Sequence, residues 1–311
     1  LSNPASREII LDLVRWADVV VESFAHGRMA HWGLAYEDLV AVNPDLIMAS
    51  TCLMGQTGPL CRLAGFGTMA AAISGFFNVT GWPDRSPSGP FGAYTDYISP
   101  RFLVAAIMAG LDHRRTTGKG QYIDLSQAEA SLHQLTPALL ETQRIGRSYQ
   151  RRGNDDDRYA PHGVYPSTGD DKWVAVAITA DHEWRALCSV LARDDLGSLS
   201  QDDRVARRRD LDEIVAAWTA ARSADESMAT LQANGIPAHR VQNTVECWHD
   251  PQLRHRNYWV QVDHGSLGTT WVEGTRFHLS RTPADVYRAG PTLGEHNWMI
   301  LNEILGYDTD R

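Results

Sequence analysis

The sequence is poor in cysteine and has no long hydrophobic run. Only four of its 311 residues are cysteines, and none shows a Cys-x-x-Cys spacing, so neither a zinc site nor a disulfide framework is indicated. The longest apolar run, Phe102–Leu111, is too short for a membrane span, which needs about 20 residues. We expect reduced cysteines and no membrane-spanning segment.

Basic residues are also in short supply. The 29 lysines and arginines are outnumbered by 38 acidic residues, which gives a net charge of −9 and argues against a large nucleic-acid-binding surface. A few arginines or helix N-termini can still bind an anionic substrate locally. We therefore predict a cytoplasmic protein that does not bind nucleic acid.

The standard catalytic motifs are missing as well. There is no GxGxxG after a strand, no Walker loop, no HExxH and no GxSxG, and the twelve histidines form no metal-binding pattern. We expect no metal. The start, Leu1–Pro4, has neither an initiator Met nor a basic-then-apolar leader, so it resembles a cut into a longer chain.

What is present is an ordinary globular composition with 43% hydrophobic residues, in a chain long enough for about two domains. The β-branched runs 18–22 and 46–50 are joined by helical material over 36–42, a pattern typical of a parallel sheet. The loop Gly55–Pro59 then follows a strand's carboxyl end, where open α/β sheets bind ligands.

Further elements follow from periodicity and from turn residues. We predict helices over 65–78, 94–113, 126–145, 181–191, 211–221, 225–233 and 295–305, and strands over 122–125, 172–179, 258–262 and 269–272. The charged, glycine-containing stretch 147–158 is typical of an exposed linker and marks a domain boundary.

Asp96 is the candidate catalytic residue. It lies between Tyr94 and Tyr97, at the start of an apolar helix. A carboxylate there is most simply a helix cap, but a partly desolvated one can also act as a nucleophile on a thioester or as a general base. The residues alone leave both interpretations open.

A series of short segments resembles the class III coenzyme A transferases, the family that includes formyl-CoA, carnitine-CoA and benzylsuccinate CoA-transferases and α-methylacyl-CoA racemase. The order of these segments over nearly the whole chain makes the resemblance specific. The segments are Ala17–Phe24, Gly33-Leu34, Asn43-Pro44, Gly55–Pro59, Ser74-Gly75, Thr80-Gly81, Thr116–Gln121, Gly235–Ala238, Asp250–Leu253 and Pro291–His296.

The resemblance implies an enzyme that transfers a sulfur-containing group, with coenzyme A and acyl-CoA as substrates and a small carboxylic acid as acceptor. Asp96 matches the family's nucleophile, which forms a mixed anhydride with the acyl group and then an aspartyl-CoA thioester. Such an anhydride needs a water-poor pocket and backbone N–H groups for the oxyanion.

The family's CoA contacts match eight positions of this chain. They are Ser23, Phe24, Ala25, His31, Ala64, Gly65, Phe66 and Gly67. Many relatives carry arginine near positions 25 and 31, where this chain has none, and we hypothesise that His26 and Arg28 replace those phosphate contacts.

Two alternatives remain beside the transferase. A racemase needs two opposed acid–base groups, and where the racemase branch has a histidine followed by an acidic residue this chain has Phe66 and Gly67. A non-catalytic acyl-CoA-binding subunit of the same fold is the other alternative. The glycine-rich flap of formyl-CoA transferase has no counterpart in this chain, since Arg151–Asn154 is at best a loop in a comparable region. The residues around Asp96 resemble those of family members that act on aryl-substituted succinates.

The predicted fold class is α/β, with a discontinuous Rossmann-like large domain built on a parallel sheet and a smaller α+β domain. The predicted boundaries are 1–157 for the first part of the large domain, 158–231 for the small domain and 232–311 for the return to the large domain. The resemblance implies an interlocked homodimer and an additional family segment ahead of residue 3.

Overall fold

The structure is a computed structural model that describes residues 3–308. The chain divides into two compact units, Leu1–Gly153 and Asn154–Arg311, called here the N-terminal and C-terminal units. No helix within residues 3–308 is long and apolar enough to cross a membrane.

The N-terminal unit is built on a parallel three-stranded sheet. Its strands are β1 (Val19–Glu22), β2 (Ile47–Cys52) and β3 (Gln121–Ser126), in the order β1-β2-β3. Val19 pairs with Ile47, and Ile47 with Gln121. Because β2 is paired on both sides and covered on its faces, its residues 47–50 are all buried. The predicted parallel sheet is confirmed.

Within the described part of the N-terminal unit, eight helices accompany this sheet. They are α1 (Pro4–Trp16), α2 (Arg28–His31), α3 (Tyr36–Val40), α4 (Gly67–Ile73), α5 (Phe76–Val79), α6 (Tyr94–Thr117), α7 (Gln127–Leu132) and α8 (Thr136–Ile145). The core between α1, α3 and the sheet contains Leu11, Val14, Leu39 and Met48. Burial of these apolar side chains at helical spacing fixes α1 on the sheet.

Two predicted helices are shorter than expected. The helix predicted over 65–78 is split between α4 and α5 because Gly75 takes a left-handed conformation with φ +91°, which glycine adopts without steric cost. The helix predicted over 126–145 is interrupted by a 3₁₀ turn, 133–135, before α8 starts with Pro137 in its first turn. Proline fits the first turn of a helix and disrupts its interior.

The C-terminal unit contains an antiparallel sheet of three strands. These are β4 (His162–Pro166), β5 (Trp173–Ala177) and β6 (Ala238–Arg240), with β5 in the centre. The helices of this unit are α9 (Asp181–Val190), α10 (Gln201–Ala206), α11 (Arg208–Ala220), α12 (Ala224–Ala233), α13 (Thr244–His249) and α14 (Pro251–His255). Val174 and Val176 of β5 pack on Trp184, Leu211 and Leu231 in the core.

The end of the chain forms a hairpin and an irregular helix. Strands β7 (Trp259–His264) and β8 (Gly268–Glu273) pair antiparallel. The helix predicted over 295–305 is instead a π-helical segment, Met299–Ile304.

The unit boundary falls within the charged stretch 147–158. Residues before it contact the N-terminal unit, since the Gly153 N–H donates to the Gly81 carbonyl at 2.8 Å and the Asn78 side chain to the Tyr149 carbonyl at 2.9 Å. The division at 157 and 231, with 232–311 returning to the large domain, stays a prediction.

Candidate active site

A cavity of about 770 Å³ lies at the carboxyl end of the parallel sheet. Residues at the end of β2 and residues that follow β1, β2 and β3 line its wall. These residues are Ser23, Ala25, His26, Gly27, Thr51, Cys52, Leu53 and Gln127. This edge is where open α/β sheets bind ligands, as the sequence predicts.

Gln56 joins the loops at this edge. Its backbone N–H donates to the Asp124 carboxylate of β3 at 2.9 Å, and its side-chain oxygen accepts the Gly27 N–H at 3.3 Å. Gly55, with φ +81°, makes the turn that brings Gln56 to this position. The loops after β1 and β2 are thereby attached to each other and to β3.

Asp96 also lines the cavity, together with the segment Cys61–Phe66. It is half-buried in the first turn of α6. Its carboxylate makes no hydrogen bond and no ion pair with any residue of the described range 3–308, so it does not cap its helix. An unpaired carboxylate that faces a cavity is available to attack a substrate.

Asp96 packs directly against Gly67, the first residue of α4. A Cβ added at Gly67 would lie 2.7 Å from the Cγ and the nearer oxygen of Asp96, which is far inside van der Waals contact. The neighbouring Thr95 is fully buried, and its hydroxyl donates to the Gly67 carbonyl at 3.0 Å. The start of α6 is thus held on the start of α4.

Arg62 is the cation of this cavity. Its guanidinium makes no ion pair or hydrogen bond within the described part of the chain, so its charge is free to meet an anion. His26 lines the cavity as well, and its Nδ1 is buried without a hydrogen-bond partner in that same part. Arg28, by contrast, lies over the Trp32 ring, 6.0 Å from its centroid, outside the cavity lining.

Two cysteines, Cys52 and Cys61, also line this cavity. Burial raises the pKa of the Cys52 thiol above the ordinary value, and the nearby Asp124 carboxylate raises it further. The Cys52 thiol therefore stays protonated near neutral pH, and a thiol is a much weaker nucleophile than a thiolate. Cys52 is thus not the favoured nucleophile of this cavity.

The eight predicted CoA contacts fall into three groups. Five line the cavity together with Asp96, namely Ser23, Ala25, Ala64, Gly65 and Phe66. Gly67 lies behind the Asp96 carboxylate. Phe24 stacks edge-on against Trp32 with ring centroids 5.0 Å apart, and His31 is exposed on α2; neither belongs to the lining. All eight remain predictions as CoA contacts.

The match to a known protein family includes every segment that carries the sequence resemblance. The family model for CoA-transferase family III matches residues 1–297. The chain belongs to CoA-transferase family III.

Named relatives of this family III chain are CoA-transferases. It is 32% identical to the succinyl-CoA–D-citramalate CoA-transferase of Chloroflexus aurantiacus, over 100% of this chain and 78% of that protein. It is 31% identical to the succinate–glutarate CoA-transferase of Agrobacterium fabrum, over 98% of this chain and 76% of that protein. A CaiB/BaiF family protein from Brucella suis matches with a TM-score of 0.88 and 29% identity, covering 97% of this chain and 79% of that one.

These matches confirm the family resemblance. No group of histidine, cysteine, aspartate or glutamate side chains within residues 3–308 has the geometry to hold a metal ion.

Sequence reasoning missed several cavity residues. Arg62 was not proposed, although it lies two residues before the predicted contact Ala64. The β2 end, Thr51–Leu53, was also missed. The available signal was the rule that ligands bind at the carboxyl ends of parallel strands, applied to the last residues of β2 and not only to the loop Gly55–Pro59 that follows it.

Proposed function

We propose that this family III CoA-transferase moves coenzyme A from an acyl-CoA donor to a carboxylic acid acceptor, with Asp96 as the nucleophile. The observation that carries the proposal is the unpaired Asp96 carboxylate in a cavity whose wall also includes five of the residues matched to CoA contacts. The named relatives are CoA-transferases as well.

The proposed reaction is a sequence of acyl transfers. An Asp96 carboxylate oxygen attacks the thioester carbonyl, the C–S bond breaks, and a mixed anhydride forms with release of CoA thiolate. The thiolate attacks the Asp96 carbonyl carbon, which releases the donor acid and leaves an aspartyl-CoA thioester. The acceptor carboxylate then displaces the thiolate to form a second anhydride, and thiolate attack on the acceptor acyl carbon gives the product and regenerates Asp96.

Arg62 is proposed to hold a CoA phosphate. It provides an unpaired guanidinium at the cavity, in a chain that lacks arginine at positions 25 and 31. A guanidinium suits phosphate because its N–H groups match two phosphate oxygens at once.

The proposed substrates are succinyl-CoA as donor and a dicarboxylic acid as acceptor. The names of the Chloroflexus and Agrobacterium relatives support this substrate class. A panel of acyl-CoA donors and mono- and dicarboxylic acceptors, with products separated by chromatography, tests it. Transfer to monocarboxylic acids alone would contradict it.

The decisive experiment traps the covalent intermediate. The protein is incubated with labelled succinyl-CoA and then with hydroxylamine, and the peptide that contains Asp96 is analysed by mass spectrometry. We expect a hydroxamate at Asp96 and, for Asp96→Asn, loss of the adduct with a fall in kcat of at least about 10³-fold.

A matched control is available on the same helix. Asp112 of α6 is exposed and pairs with Arg115 at 2.8 Å, so Asp112→Asn should keep full activity. Wild-type turnover by Asp96→Asn would refute the proposed mechanism.

A further inference from the structure

The contact between Asp96 and Gly67 raises the question of what a side chain at position 67 would do. An added Cβ would lie 2.7 Å from one Asp96 carboxylate oxygen and 2.9 Å from the other. Both distances are shorter than any normal contact of a Cβ. The Asp96 carboxylate therefore occupies the space that a side chain at position 67 would need.

The reason for glycine at this position is space and not backbone conformation. Gly67 is the first residue of α4 and is absent from the residues with positive φ. Alanine is a better helix former than glycine, so local structure alone favours alanine here. An alanine Cβ at this position would displace the adjacent Asp96 carboxylate.

A second contact fixes the same arrangement. Thr95 has no exposed surface, and its hydroxyl donates to the Gly67 carbonyl at 3.0 Å. This hydrogen bond joins Thr95, the neighbour of Asp96 in the chain, to Gly67, which packs against the Asp96 carboxylate. It sets the distance between α4 and α6 at the point where the carboxylate enters the cavity.

We propose that Gly67 and Thr95 are positioning residues that hold the Asp96 carboxylate in its attacking orientation. This inference rests on the proposed function of Asp96.

Gly67→Ala is the first test. Since the Asp96 side chain is short and open to the cavity, it rotates away from the new methyl group and the fold persists. A small displacement of a reacting group costs about 10² in rate. We therefore expect kcat and the rate of Asp96 hydroxamate formation to fall about 10²-fold, with KM for acyl-CoA within about threefold of wild type. The thermal unfolding midpoint should be unchanged or higher.

Gly110→Ala is the matched control. Gly110 is also a buried helical glycine, and its added Cβ would meet the flexible Gln121 side-chain amide at 2.9 Å. It lies on α6 away from the cavity lining, so we expect wild-type kcat and KM.

Thr95 provides the second test. Thr95→Val keeps the shape and removes the hydrogen bond, and we expect kcat to fall about tenfold, as befits a small displacement. Thr95→Ser keeps the hydroxyl but lacks the methyl group, and it should restore kcat to within about twofold of wild type. If the methyl contact were the only role of Thr95, Thr95→Ser would be impaired instead.

The outcomes separate the two proposals. If Asp96→Asn is inactive but Gly67→Ala keeps wild-type kcat, the positioning inference is overturned and the proposed function stands. The inference is also overturned if the whole loss in Gly67→Ala is a rise in KM, which would make Gly67 a substrate contact. Wild-type activity of Asp96→Asn would overturn both.

Discussion

At the scale of single residues, Arg62 shows why net charge says little about one cavity. The protein carries a net charge of −9, yet the cavity that contains Asp96 has an unpaired guanidinium on its wall. A nearby cation dominates the electrostatic potential at a binding site, because salt largely screens charges that lie more than about 10 Å away.

Replacing Arg62 should weaken substrate binding and leave the chemistry intact. We expect Arg62→Ala to raise KM for acyl-CoA about tenfold, equivalent to about 1.4 kcal/mol, with kcat nearly unchanged. The loss should shrink at high salt, and steady-state kinetics at two ionic strengths measures both effects. Arg28→Ala, which removes a cation that lies over Trp32, should leave KM unaltered. A larger effect at Arg28 would contradict the assignment of Arg62.

At the same scale, the C-terminal unit contains a part-buried hydrogen bond between Tyr165 and Asp212. The Tyr165 hydroxyl donates to the Asp212 carboxylate at 2.6 Å. Burial raises the pKa of Asp212 above its ordinary value, and Asp155 raises it further, while the Tyr165 hydrogen bond opposes the shift. The folded protein therefore keeps this proton at a pH where the unfolded chain has lost it.

The pH dependence of stability follows from this difference. Because the folded pKa is raised, the contribution of Asp212 to the free energy of unfolding falls as pH increases from about 4 through the folded pKa. Asp212→Asn lacks this titration and should gain stability relative to wild type over that range. Urea unfolding of both proteins at several pH values measures the difference. A constant difference would refute the raised pKa.

At the scale of elements, helix α12 begins with a reciprocal pair of hydrogen bonds. The Ser223 hydroxyl accepts the Glu226 N–H at 3.2 Å, and the Glu226 carboxylate accepts the Ser223 N–H at 2.9 Å. These bonds satisfy backbone N–H groups that have no partner inside the helix. The Ser223 N–H and the Ser223 hydroxyl both donate to the Glu226 carboxylate and lower the pKa of Glu226.

Removal of this cap should destabilise the protein. We expect Ser223→Ala to cost about 1 kcal/mol of unfolding free energy, whereas Ser223→Thr should keep most of it. Chemical unfolding followed by circular dichroism provides the measurement. Equal stability of the two variants would show that the hydroxyl is not the cause.

The elements also show which features the sequence could predict. Strands β1 to β3 and helix α6 were expected because their hydrophobic patterns are strong. The breaks at Gly75 and before Pro137 were missed because apolar spacing continues across both. Strands β4 and β6 were missed because one contains glycine and proline and the other has three residues, too few for a recognisable alternation.

The candidate site was predicted only in part for a different reason. Asp96 stands out from its place at the start of an apolar helix, but its role as nucleophile came from the family resemblance, because a carboxylate in the first turn of a helix is also typical of a cap. The places of Arg62 and His26 depend on how loops from separate strands meet. Loop geometry of this kind is set by tertiary contacts such as those of Gln56, which no local pattern encodes.

At the scale of the whole molecule, the family resemblance predicts a homodimer. Several large apolar side chains of α6 are exposed, including Val104 at 60% and Met108 at 59%. Neighbouring exposed apolar residues on one helix are frequently covered by a partner. We expect sedimentation equilibrium to give twice the mass of the chain. A monomer at micromolar concentration would contradict this prediction.

The two hydrogen bonds of Gln56 also affect how the cavity discriminates between substrates. They connect the loop at Gly27, which lines the cavity, with Asp124 of β3. Because this order is set on folding, we expect a substrate that fits to lose little further chain entropy on entry. We expect a substrate that needs a wider opening at Gly27 to be disfavoured, because the Gly27–Gln56 hydrogen bond would have to break first.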